Sequence, residues 1–257
     1  MKTIRITSRD NAAVKHMLQL KREKKARRAE GLMVLEGEKM LREAARAGAR
    51  VETLFCTDAR RALDASQGSE IGTLVETAPH IIAALSGVET PTDFVFSCAL
   101  PGQLPLSALT GGRYIVLENV QDPGNVGTVL RTADAFGVDG VLLTGGCADY
   151  TAPKVVRSTM GAIFRVPVAE ADIRILARAL SAARVPLYGA ALQPGAKTPA
   201  DLPLSRCAVL IGNEGAGLTG EALSLCDEVV FLPMSGAAES LNAAVAAAVF
   251  MWQMQQA

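Results

Sequence analysis

Residues 113–144, RYIVLENVQDPGNVGTVLRTADAFGVDGVLLT, pass from an apolar run through a loop of glycine, asparagine and acids into a helix, and then back to an apolar run. RYIVLEN reads as a strand, VGTVLRTADAFG as a helix ended by its glycine, and DGVLLT as a second strand. The strands are continuously apolar rather than alternating, the pattern of strands covered on both faces. Strand, helix and strand of this kind form a parallel pair, and sheets of such units carry their working loops at the carboxyl ends of the strands. One arginine, Arg131, sits inside the helix, and what it faces is the question the stretch raises.

The same rhythm extends in both directions. Downstream come a helix around APKVVRSTMGA, a strand FRVPV, a helix DIRILARALSAA, strands VPLYGAAL, CAVLIG and EVVFLP, and a terminal helix beginning near Ser240. Upstream, the proline- and glycine-bearing residues 101–112, PGQLPLSALTGG, read as a linker. Before it lie an amphipathic helix carrying Val14, Met17 and Leu18, a strand GLMVLEG, a helix EKMLREAARAGA, a strand RVETLFCT, the segment GTLVET, a helix APHIIAALSG and a strand DFVFSCAL. The fold class is therefore α/β with a mostly parallel sheet, in two domains, 1–100 and 113–257.

Composition narrows the function. With 257 residues, 49% of them hydrophobic, the chain can bury a full core. The apolar run AAVAAAVFMW is well short of the roughly 18 residues of a membrane span, and MKTIRITSRD has no signal-peptide core, so the expectation is a soluble, cytoplasmic protein without a membrane partner. Five scattered cysteines without a CxxC pair indicate neither a disulfide framework nor a zinc site, and no metal is expected. The two histidines, His16 and His80, stand beside no candidate nucleophile. The net charge of +0 hides an asymmetry: residues 1–50 hold 14 Lys and Arg against 6 Asp and Glu. The densest part, KREKKARR at 21–28, is either a solvated helix face or a phosphate-contacting patch, and its residues Lys21, Arg22, Lys24, Lys25, Arg27 and Arg28 are the candidates for such contacts.

Three segments begin where strands end and combine glycine with Asn, Glu, Ser or Arg: NVQDPGNVGTVLR, LIGNEGAGL and LPMSGAAESLN. Any one could be a simple turn; together they offer close backbone approach and helix N-termini, expected after Asn125 and Ser240, to a ligand. No GxxxxGK[ST] is present, the first loop reads DPGNVG rather than GxGxxG, and the second strand ends LLTGGC without the acid that would hold a ribose, so the P-loop and Rossmann templates do not fit.

The set NVQDPGNVGTVLRTADAFG, LIGNEGAGL and LPMSGAAESLNAAVAAAVF resembles the three signature motifs of the SpoU, or TrmH, branch of the SPOUT RNA methyltransferases, and LMVLEGEKMLREA resembles the L30e-like substrate-binding domain common in that family. The resemblance implies a C-terminal trefoil knot, S-adenosylmethionine as cofactor, a homodimer formed through the knotted domain, and methylation of a ribose 2′-hydroxyl in RNA, 23S ribosomal RNA ahead of transfer RNA. By motif position it implies catalytic roles for Asn125, Arg131, Glu214, Ser240 and Asn242, and cofactor contacts from Thr144, Ala190, Ile211, Gly212, Leu232, Met234 and Leu241. Under it Arg131 clamps charge on a phosphate and the incipient alkoxide, Asn125 and Ser240 orient backbone and nucleotide, Asn242 braces its loop, and Glu214 fixes Arg131 or the partner subunit. The proton acceptor is not assigned. A non-catalytic RNA-binding module and a different adenine-cofactor enzyme are the rival readings.

Overall fold

The computed structural model describes residues 1–236 and 240–257. They group into two compact units, Met1–Pro101 with Asp149–Arg165, and Gly102–Ala148 with Val166–Ala257.

The first unit runs β1 (Lys2–Ile6), α1 (Ala12–Arg22), α2 (Lys24–Glu30), β2 (Leu32–Glu36), α3 (Glu38–Arg46), β3 (Val51–Cys56), α4 (Ala59–Ala65), β4 (Ile71–Thr77), α5 (Pro79–Leu85) and β5 (Phe94–Ala99). Its sheet has the order β1-β4-β3-β5-β2; β1, β4 and β3 are parallel, and β5 is antiparallel to both neighbours. Val14, Met17 and Leu20 of α1 pack with Phe55, Val75 and Ile82 in its core. The single basic helix expected through residue 28 is two helices: Glu23 takes extended backbone at φ −108°, ψ 111°, and α2 restarts after it in a new direction.

The second unit starts with β6 (Tyr114–Leu117), α6 (Pro123–Phe136) and β7 (Gly140–Leu143). The chain then spends residues 149–165 in the first unit, including α7 (Pro153–Ser158), and continues here with β8 (Val168–Glu170), α8 (Ile173–Ala182), β9 (Leu187–Ala190), β10 (Ala208–Ile211), α9 (Gly220–Ser224), β11 (Glu228–Val230) and α10 (Ala243–Gln256). All pairings in the six-stranded sheet, β11-β9-β10-β6-β7-β8, are parallel. Every residue of β6, β7 and β10 is buried, as continuously apolar strands require. The chain enters mid-sheet at β6, moves out through β7 to β8, crosses to the other side of β6 as β9, and then fills the place between β9 and β6 as β10, so the strands on the two sides of the β6–β10 boundary are laid down from opposite directions. Ligand sites of open parallel sheets form at such a point.

Three boundaries differ from the sequence reading. Helix α6 begins at Pro123 because the Asp122 carboxylate accepts from the Gly124 and Asn125 amides and proline fits the first helical position. Helix α10 begins at Ala243 with Asn242, not Ser240, as its cap. Phe164 belongs to a 3₁₀ turn, and the strand expected as FRVPV starts only at Val168, past Pro167.

Within the first unit, residues 149–165 are held by ion pairs. Arg27 Nη2 lies 2.6 Å from Asp149 Oδ2, with the side chains only 3% and 11% exposed, and Arg27 Nε donates to Thr151 Oγ1 at 3.1 Å. Arg157 pairs with Glu36 at 2.6 Å, and Arg165 with the buried Glu43. Arg27 is thereby withdrawn from the basic surface: its guanidinium faces Asp149, Thr151 and the Leu20 carbonyl, so the expectation that it contacts RNA does not hold.

Candidate active site

The loops after β6 and β10 are stitched by groups that the sequence reading passed over. Glu118, immediately past β6, is 3% exposed, and its carboxylate accepts from the Thr219 amide at 2.9 Å and the Thr219 hydroxyl at 2.7 Å. Asn119 follows in the left-handed region at φ 55°, which asparagine tolerates better than most residues. Its carbonyl accepts from Asn213 Nδ2 at 2.9 Å, while Asn213 Oδ1 accepts from the Gly215 and Ala216 amides. A carboxylate is costly to bury without donors, so an acid directly after a wholly apolar strand was the available signal that something across the sheet serves it.

Asn125 lies in the first turn of α6, and since Asp122 caps that helix, the Asn125 side chain is free to reach elsewhere. Its amide donates to Glu214 Oε1 at 2.6 Å and its carbonyl oxygen accepts from Asn242 Nδ2 at 3.0 Å. Asn242 also accepts from the Ala244 and Val245 amides at the start of α10. One directed chain, Asn242 to Asn125 to Glu214, therefore joins one residue from each of the three motif loops, with the carboxylate as terminal acceptor. Residues 237–239 of the third loop lie outside the described residues.

Beside this chain opens a cleft of about 480 Å³, within the size range of small-molecule sites. Ala190, Ile211, Gly212, Leu232, Met234 and Leu241 all line it, as do Glu214 and Ser240. Thr144 does not stand on this wall: it is buried, its hydroxyl accepting from the Asn119 amide and its own amide bonded to the Leu117 carbonyl, so it braces the β6 loop instead. Gly212 is required sterically, because a Cβ there would lie 2.4 Å from the Gly217 carbonyl carbon. Apolar walls, backbone polar groups along 211–217 and this volume fit a nucleoside-sized cofactor.

Arg131 is exposed and sits apart from the chain of amides. Six residues beyond Asn125 on α6, it is about 9 Å further along the axis and a third of a turn around it. Of the five catalytic candidates, three are hydrogen-bonded together, Ser240 is on the cleft wall, and Arg131 presents its charge elsewhere. Of the basic candidates, Arg22, Lys25 and Arg28 are exposed, Lys24 is half-buried, and Lys21 is half-buried with its ammonium on the Leu85 carbonyl. Burial pushes the thiol of Cys56 up to about 11 and those of Cys207 and Cys226 to about 12, which leaves them protonated near neutral pH.

The SpoU rRNA Methylase family profile matches residues 112–252, and a profile described as the MRM3-like substrate binding domain matches residues 11–95. The chain is 35% identical over 252 residues to the 23S rRNA (guanosine(2553)-2′-O)-methyltransferase RlmP of Bacillus subtilis, covering 97% of this chain and 98% of the relative. It is 32% identical over 190 residues to the 23S rRNA (uridine(2479)-2′-O)-methyltransferase of Streptomyces viridochromogenes, covering 72% of this chain and 62% of that protein. Among solved structures, an AdoMet-bound rRNA methyltransferase from Sinorhizobium meliloti superposes with a TM-score of 0.87 at 29% identity, covering 99% of this chain and 98% of that one.

Proposed function

The chain belongs to the SpoU rRNA methylase family, and from that premise we propose that it transfers a methyl group from S-adenosylmethionine to a ribose 2′-hydroxyl of 23S ribosomal RNA. The observation that carries this reading is the hydrogen-bonded chain Asn242 to Asn125 to Glu214, which draws three loops together beside a cleft of nucleoside size.

When bound, the cofactor supplies an electrophilic methyl on a sulfonium. The protein's part is to hold a ribose oxygen in line with it and to stabilise the negative charge that grows on that oxygen. Gly212, Leu232 and Leu241 hold the nucleoside; Asn125 and Ser240 orient backbone and ribose; Asn242 fixes the Asn125 amide so that it donates to Glu214. Arg131 supplies the positive charge. A guanidinium keeps its proton in proteins, so Arg131 acts as a clamp on phosphate and alkoxide rather than as a base. In this reading RNA is held by the first unit, the N-terminal residues 1–101 with 149–165, and the chemistry lies in the second; residues 101–112, expected as a linker, pack Leu104, Leu106 and Leu109 onto the second unit's core.

The active form in this reading is a homodimer. Val245, Val249 and Trp252 recur at i, i+4 and i+7 along α10, with Val245 and Trp252 each 49% exposed, and an apolar stripe of this spacing suits a facing helix. Arg131 on the adjoining α6 would then serve across the dimer, and a monomer by light scattering at working concentration would remove this part.

Calorimetry tests the cofactor assignment. S-adenosylmethionine is expected to bind and NAD not to, and Gly212→Val is expected to abolish detectable binding because its side chain would drive into the Gly217 backbone. Equal binding of NAD, or normal binding by the valine variant, would contradict the pocket.

A further inference from the structure

In the first unit, outside the cleft, Lys21 at the end of α1, the Ser86–Gly87 turn after α5, Glu36 at the end of β2 and Arg157 on α7 converge on one point. A side-chain carbon placed on Gly87 would lie 3.4 Å from Arg157 Nη1, 3.5 Å from Glu36 Oε1 and 3.9 Å from Lys21 Nζ. The carboxylate there is already served. Glu36 Oε2 accepts from the Ser86 hydroxyl at 2.8 Å and the Gly87 amide at 2.9 Å, and Oε1 accepts from Arg157 at 2.6 Å.

The cations are not used up in the same way. An ammonium carries three donors and a guanidinium five. Lys21 gives one to the Leu85 carbonyl, and Arg157 gives Nη1 to Glu36 and, at 3.4 Å, to the Gly87 carbonyl. Arg157 remains 39% exposed at the mouth, and Arg22 adds its charge beside Lys21. Three cations thus surround one carboxylate that already accepts three hydrogen bonds, an excess of two positive charges; Gly87 is exposed and the cavity beneath it holds only about 20 Å³, so an anion would be held at the surface, over the notch formed by the turn. Burial holds the Lys21 ammonium below its ordinary value, so an added negative charge would be welcome beside it.

We propose that this notch is a phosphate-binding site, in which Lys21 and Arg157 together grip a backbone phosphate of the RNA over Gly87. The inference rests on the RNA methyltransferase reading and adds to it a specific contact, one that the linear run KREKKARR did not contain because Arg157 lies more than a hundred residues away. A planar guanidinium and a mobile ammonium meeting at one oxyanion are a recurrent way of holding phosphate.

The glycine makes the test clean. Gly87 has no positive φ, and an added Cβ meets nothing nearer than 3.4 Å, so the backbone accepts a side chain there and Gly87→Val sets its methyls over the notch. Binding of a 23S rRNA transcript to the full chain is measured over a potassium chloride series for wild type, Gly87→Val, Lys21→Gln and the double variant. Each single variant should weaken binding by roughly tenfold and flatten the slope of log affinity against log salt by about 0.7–0.9, as loss of one phosphate contact does. The double variant should lose no more than the worse single one, and cofactor affinity and unfolding midpoint should stay at wild-type values. Slopes equal to wild type in both single variants would overturn the site while leaving the methyltransferase reading standing, provided the wild type binds and methylates the RNA. A wild type that binds no RNA would overturn both.

Discussion

Replacing Arg131 by alanine is expected to slow methyl transfer by about 10²-fold or more, the usual cost of removing one donor to a developing oxyanion, with S-adenosylmethionine affinity unchanged. The two halves of this expectation come from different parts of the geometry. Arg131 is exposed on α6 and is no part of the cleft wall, so its loss cannot collapse the cofactor pocket. Nor does it belong to the chain joining Asn242, Asn125 and Glu214, which stays intact in the variant. What disappears is charge at the transition state. Arg131→Lys keeps the charge and loses the planar fork, so partial activity would point to simple electrostatics and near-complete loss to bidentate positioning. Single-turnover methylation with saturating cofactor reads the effect; a normal rate in the alanine variant would reduce Arg131 to a residue of the helix surface.

The second large effect is on stability. Arg27→Ala leaves Asp149 buried without its cation, and breaking a buried pair from one side costs about 3–5 kcal/mol. The pair is nearly inaccessible, so solvent offers little compensation. Burial pushes the Asp149 carboxyl up, but the hydrogen bonds from Arg27 and Thr151 outweigh it and hold it below its ordinary value. A carboxyl lowered in the folded state contributes stability that is fully present above its unfolded value, near pH 4, and is lost as pH falls through the folded value. Urea unfolding should therefore show a large loss for Arg27→Ala at neutral pH, and a smaller gap between variant and wild type in acid. A double replacement, Arg27→Met with Asp149→Leu, should recover much of the loss. If Arg27→Ala unfolds at the wild-type urea midpoint, the ion pair does not hold residues 149–165 in place.

The parts of this protein that were legible in its sequence are those fixed by local pattern. Strands β6, β7 and β10 were readable because wholly buried strands are continuously apolar. The three loops were readable because glycines and amides at strand ends have few other reasons to recur. Arg27 was misread for a physical reason: helical spacing extends the α1 pattern smoothly through residue 28, while the break at Glu23 and the burial of Arg27 depend on Asp149 and Thr151, more than a hundred residues on. The bracing role of Thr144 was hidden for the same reason, since its hydroxyl turns to the Asn119 amide, which only the pairing of β6 with β7 brings near. Glu118 was passed over because its partner, Thr219, is visible only once β6 and β10 are neighbours. A chain knot is a property of threading and leaves no periodicity to find.

Alkaline hydrolysis reads ribose methylation of 23S RNA most directly. Alkali cleaves RNA through the free 2′-hydroxyl, so a 2′-O-methyl protects the adjacent linkage. The wild-type protein is incubated with 23S ribosomal RNA and S-adenosylmethionine carrying a labelled methyl, and the RNA is then hydrolysed to completion. Label is expected in an alkali-resistant dinucleotide, and about 10²-fold less of it when Arg131→Ala replaces the wild type over the same interval. Label recovered in mononucleotides, as a methylated base would give, or no label in 23S RNA at all, would contradict this assignment.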